Sequence, residues 1–375
     1  MAPPTPYSHE LHIALLSVQR ASLLTKRVIH AVDKGALDKS DASPVTIADF
    51  GAQALLISAI HHNFPSDRFI GEEAADALRA DDALCERVWK LVESTHLDDE
   101  ESEGLLGAVR SKGEMLDLID LGGPGKGAGA DGKGERLWIL DPVDGTAAFM
   151  KGQQYAVCLA LAEGGEQKIG VLGCPNLKLD GGQVKEDSVD TNGYGLVLSA
   201  VQGQGACIRP MSTGKLASPQ PLDKIRDVED TSKLRWVDSV SGSTITPKNH
   251  RAIAEKLGAS WPGTELWSMQ MKYVALAVGA CDVMVRIPPR KDYRASVWDH
   301  AGGQLILREV GGMLTDTRGE PFDFGLGRKL QKNFGLVAAS AGWHARLLDA
   351  VKEVIVNGSE EDTGEGVHNG RVSGA

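Results

Sequence analysis

Two aspartates close the stretch Leu137-Trp138-Ile139-Leu140-Asp141-Pro142-Val143-Asp144-Gly145-Thr146. Four apolar residues read as a short buried strand, which runs into the two carboxylates with a proline between them. Pro142 fixes its own φ and pushes Asp141 out of the helical region. Gly145 permits a tight turn or a close approach of backbone to ligand. Asp141, Asp144 and the Val143 carbonyl offer three oxygens from one turn, and oxygen is what hard cations such as Mg²⁺ take. A helix starting at Thr146 would add free N–H groups that seat an anion such as phosphate. The same residue types also suit an ordinary Asx-rich turn.

Other carboxylates repeat the pattern. Phe69-Ile70-Gly71-Glu72-Glu73 is again an apolar strand, a glycine and acids, although paired glutamates on a loop also suit solvated surface. Trp298-Asp299-His300-Ala301-Gly302-Gly303 opens a helix expected over 298–310 and puts Asp299 in its first turn. Acids are favoured there by the helix dipole alone. Gly302-Gly303 is a poor choice inside a helix unless something packs very close. His300 reads as a packed or hydrogen-bonded histidine, because the rest of the set is all oxygen. Asp49 follows Thr46 at capping-box spacing, with Asp replacing the usual Glu, and is also readable as a plain first-turn acid. Lys272 and Arg286 interrupt apolar segments, so each either snorkels to solvent or faces a charged ligand. A forked guanidinium suits phosphate. Gly127 to Lys133 copies the start of a phosphate-binding loop, but Gly134 stands where Ser or Thr is needed and no strand precedes it, which excludes that motif.

The elements that must position these residues are spread over 375 residues, long for one domain and comfortable for two. Residues 8–32 carry Leu11, Leu15, Val18, Leu24 and Val28 at helical spacing. Ser43-Pro44-Val45-Thr46 reads as extended, followed by a helix with Ala52, Leu55, Leu56, Ala59 and Ile60 on one face. Residues 74–134 read as the least regular part, acid-rich at 81–103 and a Gly/Lys/Ala/Asp loop or lid at 122–134. Residues 155–162 and 168–173 form a hairpin around Gly164-Gly165, and 196–201 and 206–208 a second. Helices are expected at 247–257, starting at Pro247, at 269–279 and at 342–355, with strands at 282–287 and 335–339. The expected division is an N-terminal α+β part at 1–154, a C-terminal α/β part at 155–356 and a disordered tail at 357–375.

A net charge of −11 argues against a nucleic-acid or anionic-membrane partner, though a bound metal can invert the local field for a small anion. Five scattered cysteines without CxxC spacing read as free thiols in a reducing compartment. No signal peptide and no apolar run of transmembrane length is read, and no basic face is apparent, so a monomeric, cytoplasmic enzyme without a nucleic-acid partner is expected.

Taken together, Gly71-Glu72-Glu73, Asp141 to Thr146 and Trp298 to Gly303 resemble the three signatures of the inositol monophosphatase-like, lithium-sensitive, metal-dependent phosphatases. Further segments narrow the resemblance to the fungal-type 3'(2'),5'-bisphosphate nucleotidases: Ala21 to Arg27, Ser43 to Thr46 with Asp49 and Gln53, Tyr155 to Leu161, and Gly173 to Leu177. The resemblance spans about residues 8–353 and is loose in 74–134 and 178–245. It implies a layered α/β sandwich, αβαβα, and removal of the 3'-phosphate of adenosine 3',5'-bisphosphate to give AMP, with 3'-phosphoadenylyl sulfate as a related substrate. It implies two or three Mg²⁺ ions held by Glu72, Asp141, the Val143 carbonyl, Asp144 and Asp299. It makes Asp49 and Thr146 the pair that activates the attacking water. Gly145, Thr146, Lys272, Arg286 and Asp299 become the substrate contacts.

Three places depart from the fungal pattern. A Gly-His-Ser segment is replaced around Ser241-Gly242-Ser243-Thr244, a serine by Met269, and a Lys-Gly pair by Ala147-Ala148. The chemistry is therefore expected intact and the nucleotide-reading wall altered. This keeps open a phosphatase for an inositol phosphate or other small ester. The remaining alternatives are a silent nucleotide or metal sensor, which the retained acids and Asp49 oppose, and an interaction protein using the acidic 81–103 stretch.

Overall fold

The computed structural model describes residues 5–33, 44–124, 135–239 and 245–364. In its first half the elements are α1 (Ser8–Asp33), α2 (Pro44–Asn63), β1 (Arg68–Ile70), α3 (Asp76–Ala80), α4 (Asp82–Glu93), α5 (Glu100–Gly104), α6 (Lys112–Gly122), β2 (Arg136–Asp144), α7 (Thr146–Phe149), β3 (Ala156–Glu163) and β4 (Glu166–Cys174). Then come β5 (Leu196–Val201), β6 (Ala206–Pro210), β7 (Gln220–Pro221), β8 (Val237–Asp238), α8 (Pro247–Leu257), β9 (Thr264–Glu265), α9 (Met269–Ala277), β10 (Val283–Arg286), α10 (Ala301–Glu309), β11 (Gly312–Thr315), β12 (Leu336–Ser340) and α11 (Ala341–Gly364).

These elements stack as the expected αβαβα sandwich. The α1–α2 pair covers one face of a seven-stranded sheet in the order β1 to β7, parallel between β1 and β2 and antiparallel elsewhere. Helices α9 and α10 cover its other face. They are backed by the antiparallel sheet β10-β12-β11, which α8 and α11 close from outside. Apolar side chains fill each gap, since a sheet or helix with an apolar face must bury it against a neighbour. β2 pairs with β3 across the 154/155 junction, so the two stretches on either side share one sheet.

Gly302-Gly303 shows why two glycines open α10. A Cβ on Gly303 would meet Gln270 Oε1 at 2.4 Å and Tyr273 Cβ at 2.6 Å, and one on Gly170 would meet the Gly302 carbonyl at 2.6 Å. The helix lies directly on β4 and α9.

Several boundaries differ from the sequence reading. Pro44 opens α2 instead of extending the chain before it, as a proline in a first turn can. Asp49 therefore sits deeper in the helix, beyond its first turn. Residues 74–122 hold four helices in place of an irregular stretch. The charge of α4 masks an apolar face of Leu84, Cys85, Val88 and Val92, and Asp81 caps it by accepting from Leu84 N at 3.0 Å. The lid reading falls mostly on 125–134, outside the described residues. α10 starts at Ala301, so Asp299 precedes the helix. α11 continues to Gly364, beyond the 355 expected. α2 is long and apolar enough by composition to cross a membrane, against the expectation that no run is, yet 89% of its most apolar window is buried inside the protein.

Candidate active site

The C-terminal end of β2 forms the floor. Its pairing with β3 shifts register between Asp141 and Asp144, a bulge that frees the strand end to turn. Gly145 follows at φ +100° and ends 2.8 Å, measured from an ideal Cβ, from Ser268 Cβ. Only glycine satisfies both the left-handed backbone and the contact. α7 then begins at Thr146 and lasts a single turn.

Three carboxylates meet here. Ligand oxygens of Asp141, Asp144 and Asp299 lie within 4.8 Å of one another, from residues 158 apart at the extremes of the chain numbering 141–299. Asp144 accepts from the Ser268 hydroxyl and from Gln270 N–H at 2.7 Å. Asp141 accepts from Val143 N–H at 3.2 Å, so Val143 is part of the same turn and buried. Gln270 ties the third acid in: its side chain donates to the Trp298 carbonyl at 2.8 Å and accepts from Gly303 N–H at 2.9 Å. His300 does not join the acids; its Nδ1 shares a 2.7 Å hydrogen bond with the Tyr273 hydroxyl.

Glu72 lies beside the trio without joining it; the residue is exposed, but its carboxyl is set back against the protein among the other acids. Gln53 pins its loop, donating to the Glu73 carbonyl at 2.8 Å and accepting from Glu73 N–H at 3.1 Å. Gln53 stands one helical turn after Asp49 on α2. Asp49 is buried and its Oδ1 has no hydrogen-bond partner among the described residues. That oxygen thus does not accept the Thr146 hydroxyl here, and Thr146 is exposed on α7.

Crowding of acids sets the electrostatics. Burial first, then Glu72, Asp144 and Asp299, holds the Asp141 carboxyl well above the usual carboxylate range. Burial and Asp144 push Asp299 up to about 7. Glu72 is also raised to about 7, by burial of its carboxyl and then by Asp299 and Glu73. Burial, then Glu73 and Glu72, holds Asp49 well above its ordinary value. Asp144 is raised by burial against the opposing hydrogen bonds of Ser268 and Gln270. A cation shared among them would offset this repulsion and hold the set as anions near neutral pH. The all-oxygen donors suit a hard ion such as Mg²⁺.

Asp144 and Asp299 also line a cavity of about 360 Å³ together with Lys272, Arg286, Asp238 and Met269. Lys272 is buried and donates to the Trp267 carbonyl at 3.3 Å. Burial, then Arg286, lowers it to about 8. Arg286 donates to the Tyr293 hydroxyl at 3.0 Å and to the Met269 sulfur at 3.6 Å, while its Nε is unpartnered. Residues 240–244, with the Ser241 to Thr244 departure, lie outside the described residues. A larger cavity of about 520 Å³ near Leu222 and Asp282 contains none of the expected site residues.

The sequence reading missed Ser268 and Gln270, which back Asp144, and Asp238, a buried acid on the cavity wall. Ser268 carries a signal of its own, as a helix N-cap accepting from Met271 N at 3.0 Å. Asp238 accepts from buried His250 and from Ser239 N–H at 2.8 Å, contacts that no local pattern announces.

Residues 9–355 match the model of the inositol monophosphatase family. The chain is 44% identical over 355 residues to a 3'(2'),5'-bisphosphate nucleotidase of Emericella nidulans, covering 93% of this chain and 99% of that one. It is 38% identical to the 3'(2'),5'-bisphosphate nucleotidase of Schizosaccharomyces pombe, covering 93% and 96%. In structure it is similar to an inositol monophosphatase of Zymomonas mobilis, with a TM-score of 0.56, 17% identity, and coverage of 93% of this chain and 100% of that one.

Proposed function

Because the chain belongs to the inositol monophosphatase family and, within it, to the 3'(2'),5'-bisphosphate nucleotidases, we propose that it hydrolyses the 3'-phosphate of adenosine 3',5'-bisphosphate to give AMP and phosphate, and takes 3'-phosphoadenylyl sulfate likewise. The observation that carries this reading is the meeting of Asp141, Asp144 and Asp299 beside a cavity that Lys272 and Arg286 also line.

In this reading Glu72, Asp141, the Val143 carbonyl, Asp144 and Asp299 hold two or three Mg²⁺ ions. When bound, Mg²⁺ neutralises phosphate charge and lowers the pKa of a coordinated water. The side chains do the rest. With substrate in place, the Asp49 oxygen that is unpartnered here would accept a hydrogen bond from the Thr146 hydroxyl, leaving the Thr146 oxygen to accept one from the attacking water and aim it at phosphorus, while the bond from phosphorus to the 3'-oxygen breaks and that oxygen takes up a proton. Gly145, Thr146 and Asp299 border the scissile phosphate. Lys272 and Arg286 face the other phosphate, where a forked guanidinium gains most. We further infer a cytoplasmic monomer without nucleic-acid or membrane partners, supported by the net charge of −11 and five free cysteines.

The test is phosphate release with Mg²⁺ from adenosine 3',5'-bisphosphate and inositol 1-phosphate side by side, with a chelated control. Preference for the nucleotide and silence on chelation are expected. Preference for the inositol ester would retain the metal chemistry and overturn the substrate. Full activity after chelation would overturn the metal set.

A further inference from the structure

Arg328 lies between β11 and β12, far in sequence from every acid motif, yet its guanidinium stands where the motifs meet. One terminal nitrogen donates to the Gly122 carbonyl at 2.9 Å and the other to the Glu72 carbonyl at 3.1 Å. The guanidinium carbon sits 4.7 Å over the Trp298 ring, the residue before Asp299. Its own carbonyl accepts from Val297 N–H at 3.1 Å, so backbone as well as side chain holds it to the Asp299 turn. The Gly122 carbonyl also accepts from Gly71 N–H at 2.8 Å, which draws the end of α6 into the same knot.

The Glu72 loop is therefore gripped from two sides. Gln53 holds Glu73 from α2, the helix of Asp49. Arg328 holds Glu72 from the C-terminal half, the side of Asp299. Gln53 alone would fix the loop against α2 and leave its spacing to Asp299 open, because its bonds to the loop end on Glu73. A planar fork is what two carbonyls and a ring face require together; an ammonium supplies charge but not that geometry.

We infer that Arg328 is a positioning residue that sets Glu72 at a fixed distance from Asp299 and so completes the metal site. Groups of this kind, which orient ligands without touching the ion, change metal affinity by about 10–100-fold.

The inference rests on the metal-site reading above, and the experiment separates the two. Mg²⁺ is titrated calorimetrically into the metal-free full chain, with metal-free thermal unfolding recorded for each variant. Arg328→Ala is expected to weaken Mg²⁺ binding about tenfold or more, while KM for the nucleotide at saturating Mg²⁺ stays at the wild-type value. Arg328→Lys keeps the charge and long stem, and is expected to weaken Mg²⁺ binding too; it is the variant read if Arg328→Ala does not fold. In a Glu72→Gln background, Arg328→Ala is expected to cost little more, since the residue through which it acts is already disabled. Wild-type Mg²⁺ affinity in folded Arg328→Ala or Arg328→Lys overturns the inference, as does an undiminished loss in the Glu72→Gln background. If the wild-type chain binds no Mg²⁺, the metal-site reading itself falls.

Discussion

Around the acid cluster, the groups are held from behind. Asp144 takes two donors from the start of α9, Asp141 takes one from its own turn, and Gln270 bolts that helix to the backbone on both sides of Asp299. The cavity wall beside it is held loosely by comparison. Arg286 is tied to the Tyr293 hydroxyl by one nitrogen, spends another on a thioether, a weak acceptor, and leaves Nε without a partner among the described residues. Lys272 reaches one carbonyl at 3.3 Å, and burial has already lowered it to about 8. One region is built to keep its shape whatever binds. The other has spare donors whose partners a ligand must bring. The contrast teaches where the two kinds of specificity sit: in the acids for the chemistry, in the wall for the substrate.

The sharpest way to break this contrast is at Asp144. Asp144→Asn keeps one oxygen, which can still accept from Ser268 and Gln270, since both donate to a single oxygen of Asp144, and puts an NH₂ in place of the other. The backing is then kept while the charge and one cation-facing oxygen are lost. Charge stabilisation by a metal is worth several kcal/mol, so kcat/KM with Mg²⁺ is expected to fall by about 10³-fold. A Mg²⁺ titration like that of the wild type would show that Asp144 is no part of a metal set.

Proton linkage sharpens the same side. Glu72 and Asp299 are both raised to about 7 in the metal-free protein. Below that pH both carry protons that a metal must displace, so Mg²⁺ affinity is expected to drop by as much as about 100-fold per unit as pH falls below 7, two protons being released. Stability runs the opposite way. A carboxyl raised on folding makes the native chain bind more protons than the unfolded one, so metal-free stability is highest below the unfolded carboxylate range and is lost as pH rises through about 7. Metal-free thermal unfolding at pH 5.5 and pH 8, with and without Mg²⁺, reads both effects. A melting temperature that rises with pH in the metal-free protein would contradict the crowding of acids.

How much of this could be read from the chain follows the same division. The strand ending in Asp141 and Asp144, the Glu72 turn and the Asp299 motif each announce themselves locally: an apolar run gives way to an acid and a glycine. Helical and strand periodicities mark most of the elements around them, while the stacking in five layers is what the family resemblance implies. What is not legible is contact without local pattern. Arg328 and Glu72 are 256 residues apart, and Gln53 meets Glu73 across a helix and a strand. Nothing in a window of sequence marks such pairs. Ser268 is readable as a helix cap, but its second use, donating to Asp144, appears only when α9 is set against β2. The α4 face was hidden by composition, since acid content masks Leu84, Val88 and Val92 even at perfect helical spacing. The start of α2 is ambiguous in the sequence because Pro44 signals either an extended residue before it or a first turn after it, and tertiary packing decides.

On the wall, Arg286→Ala removes donors that a phosphate would complete. A hydrogen bond to a charged group is worth about 1.5–3 kcal/mol, so KM for adenosine 3',5'-bisphosphate is expected to rise about tenfold or more while kcat changes little. An equal fall in kcat would mean that Arg286 acts on the transition state and belongs with the acids after all.

The smallest effect is expected at Met269, and it discriminates most finely. Met269 is the first residue of α9, lines the cavity, and gives its sulfur to Arg286 at 3.6 Å. A thioether accepts weakly, so the guanidinium gives up little when a phosphate arrives. Met269→Ser shortens the side chain, withdraws the sulfur and adds a hydroxyl at the cavity wall. It frees a guanidinium nitrogen for ligand and provides a polar group for the sugar or base, at the cost of packing that a methionine fills adaptably. Those terms oppose one another, and each is about 1 kcal/mol, so KM for the nucleotide is expected to move by only a few-fold, downward, with kcat unchanged. Inositol 1-phosphate has no second phosphate to use the freed nitrogen, so its KM is expected to stay. The ratio of the two kcat/KM values is the measurement. If it does not change, Met269 is packing alone, and the wall reads its substrate elsewhere, with Asp238 the next group to substitute.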